Sequence, residues 1–465
     1  MQPGIGGKMN DAVIVLPGIM GSELVEVSTG RTLWGLADAG WYARAWTTGA
    51  SLRALAVTDA ERAGRVGRIR ATRLLHAPAW APMLRGFEPY TALLQAVRRS
   101  AADPSAVLEF PYDWRLSVEY NAGLLAIAVH EHLRRWRRHP LGGPDARLVL
   151  VAHSMGGLIA RYFAEVLNGS AELRALITLG TPFFGSVKAV HLLGTGTGTP
   201  LPLPQTRLRR LATTLPGLYD LLPSYRCVDE GSSIRRLTAA DVARLGGDEY
   251  LAGEALARRE RLLGAGSWET LWPAIGVAQP TMQSLLLRDG VAEPRPVTCR
   301  TEPDGRIERV DRGGDETVYR EAAFPAAAKP FAFVQTHGAL PGTREAIAHV
   351  CAVLDHRDLG PELAADAQPL ALHVADSVAA GTALDIVLDG VADPAAVDVR
   401  VVDVATGVML PRALPMPRDG RLMVRQILPV EGLFRVLAKV GGQSAVTQLV
   451  LASDPSAPFD PAEDA

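Results

Sequence analysis

The sequence predicts an α/β domain built around a mostly parallel sheet, followed by a small all-β domain. In the first part, apolar strand-like runs alternate with helical patterns. This alternation stops between about residues 190 and 295, where we expect a helical cap inserted in the sheet domain. After residue 360 the chain changes to short strand-like segments separated by turns, which indicates an immunoglobulin-like β-sandwich. The predicted boundaries are 1–360, 361–452 and a disordered acidic tail at 453–465.

Composition is that of an ordinary globular protein. The chain has 465 residues, of which 48% are hydrophobic and 21% charged, and its length suits two domains. A net charge of -2 argues against a nucleic-acid partner. No apolar run reaches the ~18 residues that cross a bilayer, and residues 1–10 lack the apolar centre of a signal peptide, so we expect a cytoplasmic protein.

The sequence also predicts a protein without a metal ion or other cofactor. Its three cysteines follow neither a disulfide framework nor a C-x-x-C zinc pattern. The H-E-x-x-H motif is absent, and the histidines have no spacing typical of metal ligands. Any catalytic chemistry should therefore depend on the side chains of the chain itself.

The strongest local signal is the stretch Leu148–Gly157. An apolar, β-branched run ends at Ser154, small residues flank the serine at Ala152 and Gly156, and a helical pattern follows from Leu158. A strand, a sharp turn carrying a serine and a helix together form a nucleophile elbow. The alternative is a structural serine in a tight turn.

A second signal follows the first predicted strand, Ala12–Leu16. The segment Pro17–Ser22 breaks this strand with small residues, which lets backbone N–H groups point into open space, as an oxyanion hole requires. The alternative is a plain turn at the end of a strand. We expect the amides of Ile19 and Met155 to be the donors of the hole.

A serine hydroxyl needs an adjacent base, and that base needs a group to orient it. His337 ends a short apolar segment, and Asp315 follows two glycines in a loop. Together with Ser154 they give the chain order nucleophile, acid, histidine of the α/β-hydrolase arrangement. The weaker candidates are histidines on helices or beside the serine and two neighbouring acids, namely His130, His132, His153, His349, Asp311 and Glu316.

Several other segments carry smaller predictions. Aromatic residues concentrate at Trp34, Trp41, Tyr42 and Trp46, which fill a core corner or form a loop that meets an apolar substrate. Asp113 and Arg115 are expected to form a structural ion pair, with a substrate role as the alternative. Trp268, Leu271 and Trp272 have helical spacing within the cap, and a strand or hairpin is expected from Pro296 to Arg309.

Taken together, the motifs resemble those of the lecithin:cholesterol acyltransferase family, which includes the lysosomal phospholipase A2-like α/β-hydrolases. Within that family, the chain resembles a lipase or esterase of bacterial type. The resemblance runs from Val13 to Cys351 and is strong only at the motifs themselves. In chain order these are Pro17-Gly18-Ile19-Met20-Gly21-Ser22, Pro111-Tyr112-Asp113-Trp114-Arg115, Ala152-His153-Ser154-Met155-Gly156-Gly157, Leu179-Gly180-Thr181-Pro182, Gly314-Asp315-Glu316-Thr317-Val318 and Thr336-His337.

The resemblance implies an α/β-hydrolase that acts on acyl esters of lipids through an acyl-serine, with Ser154, Asp315 and His337 as triad. It also implies that the Trp34–Trp46 loop and the cap meet lipid, including peripheral contact with a membrane. The candidates for substrate contact are Met20, Trp34, Trp46, Phe183 and Phe184. This chain departs from the family pattern because no cysteine precedes Cys227, Glu316 follows the acid where Gly or Asp is more familiar, and a β-sandwich is added.

These observations predict a lipase, phospholipase or carboxylesterase in which water accepts the acyl group. One alternative is an O-acyltransferase, in which an alcohol takes the place of water. A different class of function is an effector or binding module in which the β-sandwich serves as the targeting unit. The sequence does not separate water from alcohol as the acceptor, because both reactions use the same triad.

Overall fold

A computed structural model describes residues 9–35, 48–75, 90–197, 204–263, 269–288, 290–302, 304–357, 370–375, 377–441 and 444–453. The described residues fall into two compact units, one up to residue 357 and the other from residue 370. The first unit is the predicted α/β domain and the second is the predicted all-β domain.

The first unit is built on a six-stranded sheet whose strands are all parallel. Continuous apolar sequence is typical of strands that helices cover on both faces, and all residues of the neighbouring strands Ala12–Leu16 and Leu148–His153 are buried. Across the sheet, the strands are Phe331–Val334 (β15), Leu271–Val277 (β10), Leu173–Leu179 (β7), Leu148–His153 (β6), Ala12–Leu16 (β1) and Val107–Glu109 (β5).

Helices accompany these strands, and several begin at a capping side chain. Ser117, Ser186 and Thr343 each accept a hydrogen bond from an amide of the first turn that follows. The α-helices are Ala50–Leu55 (α1), Asp59–Arg62 (α2), Tyr90–Ser100 (α3), Val118–Trp136 (α4), Met155–Glu165 (α5), Val187–Thr195 (α6), Gln205–Ala212 (α7), Pro216–Tyr219 (α8), Ala239–Arg244 (α9), Glu249–Leu263 (α10) and Arg344–Leu354 (α11). Single 3-10 turns lie at Pro104–Ala106, Gly169–Glu172, Arg320–Ala322, Leu340–Gly342 and, in the second unit, Pro394–Ala396.

The segment predicted as a helical cap contains helices and also a four-stranded sheet. The strands of this sheet are Arg226–Asp229 (β8), Ile234–Arg236 (β9), Ser284–Arg288 (β11) and Val291–Arg295 (β12). The predicted helical spacing at Leu271 and Trp272 is wrong, because both residues lie in β10 of the central sheet. A short apolar run satisfies either periodicity, so spacing alone misassigned it. Trp268 lies outside the described residues.

Two smaller sheets complete the first unit. The strands Thr298–Thr301 (β13) and Ile307–Val310 (β14) form the hairpin predicted between Pro296 and Arg309. A three-stranded antiparallel sheet follows the Pro17–Ser22 segment, with strands Ser22–Glu26 (β2), Thr32–Trp34 (β3) and Ile69–Leu74 (β4).

The second unit consists of two four-stranded sheets, which confirms the predicted β-sandwich. Alternate residues are buried, as at Leu384, Ile386 and Leu388, because successive side chains of a strand point to opposite faces. One sheet contains Ala371–His373 (β16), Ala383–Asp389 (β18), Met416–Arg418 (β20) and Arg421–Ile427 (β21), and the other contains Ser377–Ala379 (β17), Val397–Asp403 (β19), Gly432–Val440 (β22) and Val446–Ser453 (β23). The sequence missed β17 and β20, which have three residues each. The predicted tail lies outside the described residues from residue 454 on.

The predicted ion pair of Asp113 and Arg115 is confirmed and includes a third member, Glu61. Nη2 of Arg115 lies 2.7 Å from Oδ2 of Asp113 and 2.9 Å from Oε1 of Glu61. The Arg115 side chain has no exposed surface, which favours the structural role over a substrate role. Through its contact with Glu61, Arg115 links helix α2 to the segment that follows strand β5.

This network predicts a dependence of stability on pH. Burial alone would raise the pKa of Glu61, but hydrogen bonds from Arg115, Thr58 and Arg68 outweigh it and lower the pKa to about 2. Because the folded pKa is below the unfolded value, the stabilisation is present at neutral pH and is lost as the pH falls from about 5 toward 2. We expect Glu61→Gln to flatten the pH dependence of the free energy of unfolding in that window, measured by urea denaturation. The control is Glu302→Gln at an exposed position, which should keep the wild-type dependence of the free energy of unfolding on pH. The same pH dependence in the wild type and in both variants contradicts the prediction.

Candidate active site

Ser154 lies in the sharp turn that the sequence predicts. It follows the last residue of β6 and precedes the first residue of α5, and its backbone has φ 51° and ψ −123°. An L-residue with positive φ is strained, and such strain persists only where the surrounding structure holds it. A Cβ on Gly156 would stand 2.4 Å from the carbonyl oxygen of Pro17, so only glycine lets the helix approach strand β1 so closely.

The structure brings the three predicted triad residues together. Nε2 of His337 lies 2.8 Å from Oγ of Ser154, and Nδ1 of His337 lies 2.7 Å from Oδ2 of Asp315. Ser154 and Asp315 are 4% and 1% exposed, whereas the His337 side chain is 12% exposed. The histidine therefore bridges a buried carboxylate and a nearly buried hydroxyl, which is the arrangement that removes a proton from serine.

The carboxylate is held by backbone amides as well as by the histidine. Oδ1 of Asp315 accepts hydrogen bonds from the amides of Thr317 at 3.0 Å and Val318 at 2.7 Å. The amide of His337 donates to the carbonyl oxygen of Asp315 at 2.7 Å. These bonds leave Oδ2 of Asp315 facing the imidazole and hold the carboxylate and His337 in fixed positions relative to each other.

Asp315 lies in a loop, as the sequence predicts, and does not directly follow a strand of the central sheet. The chain leaves β10, forms strands β11–β14 and returns, so that the amide of Gln279 donates to the carbonyl oxygen of Gly314 at 2.8 Å. A Cβ on Gly276 of β10 would lie 2.5 Å from Cβ of Asp315. The sequence pattern alone did not predict this role of Gly276, although a glycine inside an apolar strand can mark a close approach of another segment.

The Pro17–Ser22 loop lies against Ser154, since a Cβ on Gly18 would stand 3.0 Å from Cβ of the serine. The amide of Gly18 donates to the Tyr90 hydroxyl at 2.8 Å, and the amide of Gly21 donates to the Gly18 carbonyl at 3.0 Å. Met155 is the first residue of α5, where an amide has no partner within its own helix. The amides of Ile19 and Met155 remain the predicted donors to an oxyanion.

Aromatic side chains hold this loop in place. The Tyr112 hydroxyl donates to the Pro17 carbonyl at 3.0 Å, and the Trp34 indole N–H donates to the Met20 carbonyl at 2.8 Å. Trp34 is 5% exposed and packs edge-on against Trp114, with ring centroids 5.5 Å apart. Its contacts therefore give Trp34 a packing role, instead of the predicted contact with substrate.

The other predicted substrate contacts divide in the same way. Phe183 is fully buried, and the Arg161 guanidinium lies 5.6 Å from the centroid of its ring, so this residue also packs within the protein. Phe184 and Met20 are half-buried, and Met20 has φ 64° beside Ile19. A substrate role stays a prediction for these two residues. Trp46 lies outside the described residues, as do Trp41 and Tyr42.

The rival acids and histidines have other partners. Oδ1 of Asp311 accepts hydrogen bonds from Gln283 at 2.6 Å and from the amide of Gly313 at 2.7 Å. Glu316 lies 3.9 Å from Nζ of Lys188. Buried His349 packs against Phe331 with ring centroids 4.4 Å apart, and burial lowers the pKa of His349 to about 4. His130 and His132 lie on helix α4.

Within the described parts of the chain, no group of three or more His, Cys, Asp or Glu side chains is placed to hold a metal ion. No helix in the same residues has both the length and the apolar character needed to cross a membrane. The cysteines Cys227, Cys299 and Cys351 are free thiols.

A known protein family matches part of this chain. The model of the family described as lecithin:cholesterol acyltransferase matches residues 82–241. The resemblance to that family is confirmed. The matched stretch includes Ser154 and the Asp113–Arg115 segment, whereas Ile19, Asp315 and His337 lie outside it.

Individual relatives are similar to this chain over a short stretch. The lysosomal phospholipase A and acyltransferase of Homo sapiens is 35% identical over 89 residues, which are 18% of this chain and 20% of the relative. The protein of the same name from Rattus norvegicus is 34% identical over 89 residues, with the same shares. An uncharacterized protein of Saccharomyces cerevisiae is 31% identical over 102 residues, 22% of this chain and 14% of the relative. This chain thus spans about a fifth or less of the length of these relatives.

Solved structures give more distant matches. A chain in the crystal structure of the Tle4–Tli4 complex is 17% identical with a TM-score of 0.47, covering 74% of this chain and 97% of that chain. The Bacillus licheniformis lipase BlEst2 in propeptide form is 14% identical with a TM-score of 0.33, covering 96% and 75%.

Proposed function

We propose that this protein is a serine hydrolase that cleaves carboxylic esters through an acyl-serine intermediate. The observation that supports it best is the continuous contact from Ser154 Oγ to His337 Nε2 at 2.8 Å and from His337 Nδ1 to Asp315 at 2.7 Å. The three groups meet at the carboxyl edge of a parallel sheet, which is where loops of α/β folds carry their catalytic residues.

In the proposed mechanism, His337 removes the proton of Ser154 as the serine oxygen attacks the ester carbonyl. The charge that develops on the carbonyl oxygen is stabilised by the amides of Ile19 and Met155, while Asp315 stabilises the imidazolium. The alcohol leaves with the proton from His337. A water molecule then attacks the acyl-serine in the same way, which releases the acid and restores the serine hydroxyl.

We further propose that the substrates are acyl esters of lipids, such as phospholipids. Support comes from the family whose model matches residues 82–241 and from the relatives that are named phospholipase A and acyltransferase. Transfer of the acyl chain to an alcohol is the second candidate, because the human relative is named as an acyltransferase as well as a phospholipase A. Both reactions pass through the same acyl-serine and differ only in the molecule that attacks it.

The test is product analysis with phospholipid vesicles and with a chain-length series of p-nitrophenyl esters. We expect release of free fatty acid from the vesicles and faster cleavage of long-chain than of acetyl esters. Added long-chain alcohol should yield an acyl ester only if acyl transfer competes with hydrolysis. A protein that forms neither free acid nor acyl ester from any of these substrates contradicts the proposed function.

A further inference from the structure

Two buried polar side chains outside the triad lie between the Pro17–Ser22 loop and His337. Tyr90 is the first residue of α3 and is 2% exposed, and His153 is the last residue of β6 and is 6% exposed. The Tyr90 hydroxyl lies 2.8 Å from the amide of Gly18 and 2.8 Å from Nδ1 of His153. Nε2 of His153 lies 3.2 Å from the carbonyl oxygen of His337.

The chemistry of these groups fixes the direction of every hydrogen bond. The His337 carbonyl only accepts, so Nε2 of His153 carries a hydrogen and donates it. Burial, together with the nearby His337 ring, lowers the pKa of His153 well below its usual value, so the ring is neutral and Nδ1 is an acceptor. The Tyr90 hydroxyl therefore donates to Nδ1, and its oxygen accepts from the Gly18 amide.

The result is one directed chain that begins next to Ile19 and ends on the backbone of His337. For both Tyr90 and His153, one placement of the hydrogen allows the hydrogen bonds to both neighbours in the chain. The rings of His153 and His337 have centroids 5.1 Å apart, so a second positive charge is disfavoured when His337 becomes protonated. The chain thus holds its orientation throughout the proposed reaction.

We propose that Tyr90 and His153 are positioning residues that hold the Pro17–Ser22 loop at a fixed position relative to His337. This inference rests on the proposed function. The Ile19 amide has to reach the developing oxyanion while His337 reaches the serine oxygen, and errors of a few tenths of an ångström weaken both contacts. A hydrogen-bonded link between the two groups limits such errors, and it acts on the transition state without contacting substrate.

The experiment compares Tyr90→Phe with Tyr219→Phe in the full-length protein. Tyr219 is the matched control because it is also buried, and its hydroxyl accepts from the Asp248 amide at 2.7 Å and donates to the Thr213 carbonyl at 3.0 Å. We expect Tyr90→Phe to lower kcat on a p-nitrophenyl ester by about 10- to 100-fold with KM changed less than about twofold. Tyr219→Phe should keep the wild-type kcat, although both variants lose thermal stability.

A second route uses His153→Asn, whose amide oxygen replaces Nδ1 as acceptor for Tyr90 but leaves the His337 carbonyl without a donor. It too should lower kcat selectively, and the double variant with Tyr90→Phe should lose less than the product of the two single effects. If Tyr90→Phe does not fold, His153→Asn alone decides.

An active wild type with unchanged kcat in the folded single variants overturns the positioning role and leaves the proposed function intact. A wild type that neither hydrolyses esters nor reacts with a fluorophosphonate overturns both.

Discussion

Replacing Ser154 with alanine is expected to abolish ester hydrolysis and to prevent labelling of the chain by a fluorophosphonate. The substitution removes the oxygen that lies 2.8 Å from Nε2 of His337 and leaves the elbow, the loop and the acid in place. In serine hydrolases such a loss lowers kcat by about 10⁴- to 10⁶-fold. Mass spectrometry of the labelled wild-type protein should locate the phosphonyl group on the peptide that contains Ser154.

Ser117→Ala is the matched control for this experiment. Ser117 caps helix α4, and its hydroxyl accepts a hydrogen bond from the Tyr120 amide at 3.2 Å. Its replacement should cost about 1 kcal/mol of stability and leave the labelling rate at the wild-type value. If Ser154→Ala is labelled as fast as the wild type, another residue is the nucleophile and the proposed mechanism is wrong.

The elbow was predictable because its signal is local. Strand β6, Ser154 and helix α5 follow one another directly, so periodicity and small flanking residues describe the whole feature. The Pro17–Ser22 loop was predictable for the same reason. In both places the physical demand, a close approach of backbone, falls on residues that are adjacent in sequence.

The position of the acid depends on contacts that are distant in sequence. The sequence shows only that Asp315 comes after Ser154 and before His337. Its place beside β10 depends on Gly276 and on the hydrogen bond from Gln279 to Gly314. The link from Gly18 through Tyr90 and His153 to His337 likewise joins four different elements. Periodicity carries no information on such pairs, because it records only which face of an element is apolar.

Aromatic residues show the same limit. An indole next to a catalytic loop fits a packed corner as well as a substrate surface, and both interpretations of the Trp34 region were open in the sequence. Burial and the hydrogen bond to Met20 place Trp34 in the packed corner. The helical spacing of Leu271 and Trp272 misled for a related reason, since two apolar neighbours suit a strand and a helix equally.

Asp315→Asn is expected to lower kcat by about 10⁴-fold while the fold is retained. The amides of Thr317 and Val318 donate to Oδ1 of Asp315, so the asparagine oxygen takes that side and its NH₂ group faces Nδ1 of His337. Nδ1 then has to accept, which moves the imidazole hydrogen to Nε2. A protonated Nε2 cannot take the proton of Ser154, and steady-state kinetics on a p-nitrophenyl ester should record the loss.

Glu316→Gln is the matched control, because it makes the same chemical change one residue along the same loop. The Glu316 carboxylate lies 3.9 Å from Lys188, and this contact is too long to be worth more than a fraction of a kcal/mol at a partly exposed site. We expect its kcat to stay within about threefold of the wild type. If Glu316→Gln loses activity and Asp315→Asn keeps it, Glu316 is the acid; if both lose it equally, the loop as a whole, and not the Asp315 carboxylate, supports His337.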